Sequence, residues 1–272
     1  MIDIEPIPTS IRVQRLGAAD LRPTKTPAVH AYDTLVVHVG GSVRVEHHGD
    51  FELVPGHVHL IPAGDLHRTL VVARPDVWGV GFCRTCLDQD RFRELLAPLD
   101  RVRQGAAPFV ELPAERQAHV LDLLRELTRE QHSPTPLPVV TESLLALLLA
   151  EVVRAAGPDP APPRSPPSLV AAALAVIEAR CLGPLTLTDV AEAVHRSPAH
   201  LTTAVKRATG RTVGAWIIEA RLAEARRRLL ATDELVDVIA DRIGYADATH
   251  FVRLFRRRHG VTPAAYRRRA RP

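Results

Sequence analysis

The C-terminal third of this 272-residue chain repeats itself. Residues 190–216 read VAEAVHRSPAHLTTAVKRATGRTVGAW, and residues 238–266 read VIADRIGYADATHFVRLFRRRHGVTPAAY. Ala191 and His195 have counterparts 49 residues on, in Ala240 and Gly244. Leu201, Val205, Gly210 and Trp216 have theirs 50 residues on, in Phe251, Phe255, Gly260 and Tyr266. The second copy therefore holds one extra residue in its turn. Each copy has a helix with a small alanine, a turn four residues later, and a second helix opened by Ser-Pro or by Asp. That is the grammar of a helix-turn-helix: the alanine lets two helices cross closely, and the turn favours a residue tolerant of positive φ. One such signature is weak, whereas two in tandem constrain the fold strongly.

Local rules fill in the frame. Ser197, followed by Pro198, is expected to cap the second helix of the first copy, and Asp247 that of the second. Thr188 is placed to cap the helix that begins at Asp189. Phe251, Leu254 and Phe255 follow helical spacing and should be buried, as should Leu201, Ala204, Val205 and Ala208 in the first copy. Ile217, Leu222, Ala225 and Leu229 form the core stripe of the helix joining the copies. The residues left on the outer faces are Ser197, His200, Thr202, Thr203 and Lys206, then Thr249, His250, Arg253, Arg256 and Arg257. Arg226–Arg228 and Arg267–Arg269 read as solvated surface.

Charge singles out this region. Residues 169–272 hold 18 Lys and Arg against 10 Asp and Glu, whereas residues 1–168 hold 17 against 21. A net of +8 beside a net of −4 points to a polyanionic partner for one half only. The outer residues above become candidate DNA contacts. Arg253 is the best guanine reader, because its fork matches O6 and N7. Arg256 and Arg257 suit phosphates, which add affinity and salt dependence but little sequence information.

Upstream, RAAGPDPAPPRSPPS at 154–168 holds six prolines and can continue neither helix nor sheet. The expected organisation is thus a domain over 1–157, a linker over 158–168 and a second domain over 169–272. Residues 29–82 carry short Val-rich runs separated by Gly, Pro and Asp, which reads as an antiparallel sheet or barrel. Two helices follow, at 115–131 and 139–156. The second is apolar around most of its circumference and must be buried on several sides. Cys83 and Cys86 form a lone C-x-x-C, read as two inert free thiols. No run of 18 apolar residues exists, the N-terminal stretch is too acidic for a signal peptide, and a cytoplasmic, non-membrane protein is expected. No Ser-His-Asp or phosphate-loop pattern appears.

Residues 169–269 resemble the DNA-binding domain of the AraC/XylS family of transcription regulators. The resemblance rests on LTDVAEAV, SPAHL, ARLAEARRRLL and IADRIGYADATHFVRLFRRRHGVTPAAYR. Thr203, where arginine is common, and Val205, where phenylalanine is common, depart from it; His195, where glycine is frequent, departs mildly. LVPGHVHLIPAGDLH (53–67) resembles, more weakly, the cupin-like effector domain of that family. The implied fold class is α+β: a cupin-like barrel with dimerisation helices, then an all-α double helix-turn-helix domain.

The resemblance implies a ligand-responsive regulator and no enzyme. Its partners would be double-stranded DNA, a small-molecule effector, a second copy of the chain and RNA polymerase. The effector pocket would be lined by His30, Tyr32, His67, Trp78 and Phe82. PAGDLH fits a cupin metal motif, but Tyr32 stands where a second histidine belongs. The pattern supplies two ligands where three or four are needed, so neither a metal nor another cofactor is expected. The competing readings are a metal-dependent cupin enzyme with an appended basic domain, and a DNA-bending protein whose barrel only dimerises.

Overall fold

A computed structural model describes residues 11–30, 32–84, 87, 89–157 and 169–270. The chain divides into two units at the 168/169 boundary. The Pro-rich stretch 158–168 lies outside the described residues.

The N-terminal unit is built on one antiparallel sheet. Its strands are β1 (Ile11–Leu16), β2 (Asp33–Glu46), β3 (Asp50–Leu53), β4 (His57–Ile61), β5 (Arg68–Phe82) and β6 (Phe109–Glu111). The order is β1-β5-β2-β4-β6, with β3 also on β2. The closed barrel expected from the sequence is not formed: among the described residues no pairing joins β1 to β6, and the sheet is open. The Val-rich runs 34–39 and 43–46, separated in sequence by Gly40, Gly41 and Ser42, belong to one strand. Register shifts at Gly40 and beside Val45 carry β2 through as a bulged strand, which bends it strongly. Gly41 has φ +67°, and a Cβ there would meet the Ala73 and Arg74 carbonyls at 2.2 and 2.1 Å, so only glycine fits.

Two short helices, α1 (Gln89–Phe92) and α2 (Ala97–Arg103), were not foreseen. The two long ones were: α3 is Ala114–Gln131 and α4 is Pro138–Ala156. Val120, Leu123, Leu124 and Leu127 of α3 are buried, as are Leu145, Leu148, Leu149 and Val152 of α4. The Arg116 guanidinium grips Glu151 across the pair at 2.6 and 2.8 Å. The Gln131 side chain bonds the backbone of Val13 in both directions and ties α3 to β1. Val139 and Leu147 of α4 stay 62% and 50% exposed, so the chain by itself covers only part of that apolar helix.

The cysteines differ from expectation. Cys83 is disulfide-bonded rather than a free thiol, and Cys86 lies outside the described residues. Cys181 is free and buried, and burial pushes its thiol up to about 11.

The C-terminal unit is all helix: α5 (Leu169–Arg180), α6 (Leu187–Ala193), α7 (Pro198–Thr209), α8 (Val213–Ala231), α9 (Val236–Arg242), α10 (Ala248–His259) and α11 (Pro263–Ala270). Helix α6 is capped by Thr186, not Thr188. Thr186 and Asp189 form a reciprocal capping box, which puts the helix start two residues earlier. No described helix is long and apolar enough to cross a membrane.

Candidate functional site

The repeat in sequence is a repeat in backbone. In the first turn the Arg196 amide donates to the Ala191 carbonyl at 2.9 Å, and in the second the Tyr245 amide donates to Ala240 at 2.9 Å. His195 and Gly244, at matching positions, both have positive φ, +53° and +84°. Ser197 caps α7 by accepting from the His200 amide, and Asp247 caps α10 by accepting from Thr249. Gly210 and Gly260 end these helices in the left-handed conformation. The closing contacts repeat too. Trp216 Nε1 donates to Thr209 Oγ1 at 3.0 Å, and fifty residues on Tyr266 packs against His259.

Beneath α10 lies the aromatic core. Phe251 and Phe255 are fully buried and Leu254 nearly so, against Leu222, Ala225, Leu229, Ile239, Ala240 and Ile243. The extra residue of the second turn lets Tyr245 tuck under α10, beside Phe251 and His250. Leu201 and Val205 are fully buried under α7, but Ala204 and Ala208 are only partly covered, and the buried Thr209 was missed.

Burying these faces turns the others outward. Ser197, His200, Thr203 and Lys206 on the first motif are exposed, and Thr202 is half-buried. Thr249, His250, Arg253, Arg256 and Arg257 on the second are all exposed. Among the described residues Arg253, Arg256 and Arg257 make no hydrogen bond or salt bridge, though Arg253 helps hold the Asp247 carboxyl below its usual range after the Thr249 and His250 bonds. Arg207, exposed and one step past Lys206, matches Arg257 across the repeat and was not singled out from the sequence.

Most other arginines of this unit are committed. Arg226 is buried, and Arg227 and Arg228 clamp Glu224 at 2.6 and 2.7 Å. The expected solvent face at 226–228 is therefore an internal charge network. Arg258 bonds Glu219 at 2.9 Å. Arg267, expected in a solvated cluster, donates to the Leu229 and Glu234 carbonyls and closes the end of α8. Arg268 is exposed.

The effector residues proposed from sequence divide between two faces of the sheet. Tyr32 Oη lies 3.2 Å from His30 Nδ1, and the His30 ring lies 4.9 Å from that of His67. Trp78 and Phe82 belong to the opposite face of β5, where they alternate with Val77, Gly79 and Gly81 and pair with Arg15 and Ile11 of β1. The His30 group instead continues into the buried His47, His59 and Asp65 and the half-buried His48. Burial lowers His47 to about 3 and His67 to about 4, and raises Asp65 to about 6.

A family model described as a helix-turn-helix domain matches residues 190–269. The transcriptional activator NphR of Rhodococcus sp is 43% identical over 86 residues, which are 31% of this chain and 25% of NphR. The HTH-type transcriptional activator RhaR of Shigella dysenteriae is 22% identical over 262 residues, 93% of this chain and 92% of RhaR. Among solved structures, the C-terminal domain of AraT, a response regulator from Geobacillus stearothermophilus, is 31% identical. That match covers 37% of this chain and 84% of that one, with a TM-score of 0.36. The chain spans between a quarter and two-fifths of the length of the first curated relatives it matches. The C-terminal unit is a tandem helix-turn-helix DNA-binding domain. Residues 190–269 resemble the DNA-binding domains of AraC-type transcription regulators, and NphR and RhaR, which the chain matches there, are named as transcriptional activators.

Proposed function

We propose that the chain is an effector-responsive, sequence-specific regulator of transcription. The observation that carries this reading is the tandem geometry. Two recognition helices of one backbone frame, α7 and α10, each expose a histidine at the third helical position and a consecutive basic pair one to two turns later. The N-terminal turn of each helix enters the major groove, and Lys206–Arg207 and Arg256–Arg257 meet phosphates. Arg253 reads guanine. Its counterpart Thr203 has its hydroxyl engaged with the Ala199 carbonyl at 3.0 Å and contributes little discrimination.

The N-terminal unit is proposed as the effector and dimerisation domain, cupin-like in descent and joined through the 158–168 linker. His30, Tyr32 and His67 supply polar groups for a small molecule, while Trp78 and Phe82 support the sheet from the other side. The apolar surface left on α4 by Val139 and Leu147 supports a second copy as partner. An effector that binds one arrangement of the two units better than another would shift DNA occupancy by that difference in affinity.

Sequence selection of duplex DNA bound by the full chain tests this. Enrichment of one motif, with an affinity falling by a log–log salt slope of about −4 for four phosphate contacts, is expected. Failure to bind any duplex at low salt overturns it.

A further inference from the structure

Side chains from three separate stretches of the N-terminal unit meet in its interior: His47 and His48 just after β2, His59 on β4, and Asp65 in the loop before β5. One ligand atom each of His47, His48 and Asp65 lie within 4.8 Å of one another. Asp65 Oδ2 is 3.4 Å from His47 Nε2 and 3.4 Å from His48 Nε2. Ligands held at about 2.0–2.1 Å around a tetrahedral ion stand roughly 3.3 Å apart, so both edges to Asp65 already have that length. Adjacent strand residues normally point to opposite faces. Here His48 takes φ +56° and the His47 amide bonds the Gly49 carbonyl, a tight turn that brings both rings to the same carboxylate.

The unit contains a second fully buried carboxylate for comparison. Asp33 is held by Arg84 at 2.7 Å, by Arg103 at 3.6 Å and by the Ala63 amide at 2.8 Å. Asp65 is equally buried, yet its Oδ1 makes no hydrogen bond, nor does Nδ1 of His48. Among the described residues no arginine or lysine stands within salt-bridge distance of Asp65. A structural carboxylate in a dry interior needs donors or a cation, and the imidazoles provide only two contacts at 3.4 Å.

We infer that this constellation is a binding site for a divalent first-row transition-metal ion, with His47 Nε2, His48 Nε2 and Asp65 as its protein ligands. His59 Nε2 lies 3.0 Å from the other nitrogen of His47 and orients that ring. Two imidazoles and one carboxylate suit zinc, cobalt, nickel or iron(II), and leave coordination positions open for solvent or a small ligand. The 16% exposure of the His48 side chain gives an ion a route in. The three residues are distinct from the motif positions His30, Tyr32 and His67, of which His67 has its ring 6.0 Å from that of His47.

The test uses the untagged full chain after chelation and dialysis, with cobalt(II) as the probe. One equivalent should bind saturably, give visible d–d absorption and be displaced by zinc. His48→Ala, on the most accessible ligand, should weaken binding at least tenfold and abolish the zinc-dependent rise in melting temperature, as should Asp65→Asn. His57→Ala, a histidine outside the site, should leave both unchanged. No saturable cobalt binding, or binding untouched by His48→Ala in a chain whose circular dichroism is native, overturns the inference. DNA binding is measured on the same preparations, so a chain that binds DNA but no cobalt overturns this site and leaves the regulator reading standing.

Discussion

The two helix-turn-helix motifs share a frame and differ in what fills it. Both have a left-handed turn, a side-chain cap, a C-terminal glycine and an aromatic closing the unit. Under α10 lie Phe251 and Phe255; under α7 the same positions hold Leu201 and Val205. On the outer face Arg253 stands against Thr203, while Lys206–Arg207 and Arg256–Arg257 keep their charge. The repeat has thus preserved what backbone geometry requires and what any phosphate attracts. It differs at the position proposed to read a base pair.

Core truncation should separate the motifs most. Phe255→Ala is expected to cost about 3–5 kcal/mol of stability, and Val205→Ala about 2 kcal/mol, measured by denaturant unfolding of the full chain. Equal losses would mean that the aromatic core is no more demanding than the aliphatic one. Next comes base reading. Arg253→Ala should weaken specific DNA binding by about 1–3 kcal/mol and flatten the preference at one position, whereas Thr203→Ala should change it by less than about threefold. A larger effect at Thr203 would reverse the assignment of roles.

The turns should respond in opposite directions. A Cβ at Gly244 would meet Arg221 at 3.0 Å and the Leu182 carbonyl at 3.1 Å, besides adopting a left-handed φ. Gly244→Ala should therefore cost about 1–2 kcal/mol, while His195→Gly should be neutral or stabilise by up to about 1 kcal/mol. Thermal melts of the two variants decide the matter. Loss of stability in His195→Gly would mean that the imidazole makes a contact worth more than its strain.

Acid should discriminate more weakly. Burial, reinforced by Arg226, lowers His259 to about 4, whereas its counterpart Thr209 does not titrate. Below pH 6.5 the unfolded chain takes up a proton that the folded chain refuses. This contribution to stability is therefore present above pH 6.5 and is lost as the pH falls toward 4. Because His259 is partly exposed, the expected loss is about 1 kcal/mol. Protection of α10 amides, taken relative to intrinsic exchange at each pH, should fall on acidification more than that of α7, and His259→Thr should remove the difference.

Much of this molecule was legible in the chain. Periodicity and caps are local, so α3, α4, α7 and α10, the buried triplet Phe251, Leu254 and Phe255, and the exposed faces followed from spacing. The tandem frame was visible because both copies need small or permissive residues at the same backbone positions. Most of the misreadings concerned side-chain pairing. Arg226, Arg228 and Arg267 look like solvent residues until Glu219, Glu224, Glu234 and the end of α8 are brought against them. Where the sequence suggested two strands, one bulged β2 runs through, and the described strands pair as an open sheet.

The sequence by itself determined the helical frame, the caps of α7 and α10 and the charge asymmetry, since each depends on residues a few positions apart or on simple sums. Only the tertiary structure decided which arginines are paired internally and which histidines lie together. His47 and His48 meet Asp65 across seventeen or more residues, through a turn at His48 and a folded sheet. Such a meeting depends on how a strand bends, and strand alternation carries no record of that.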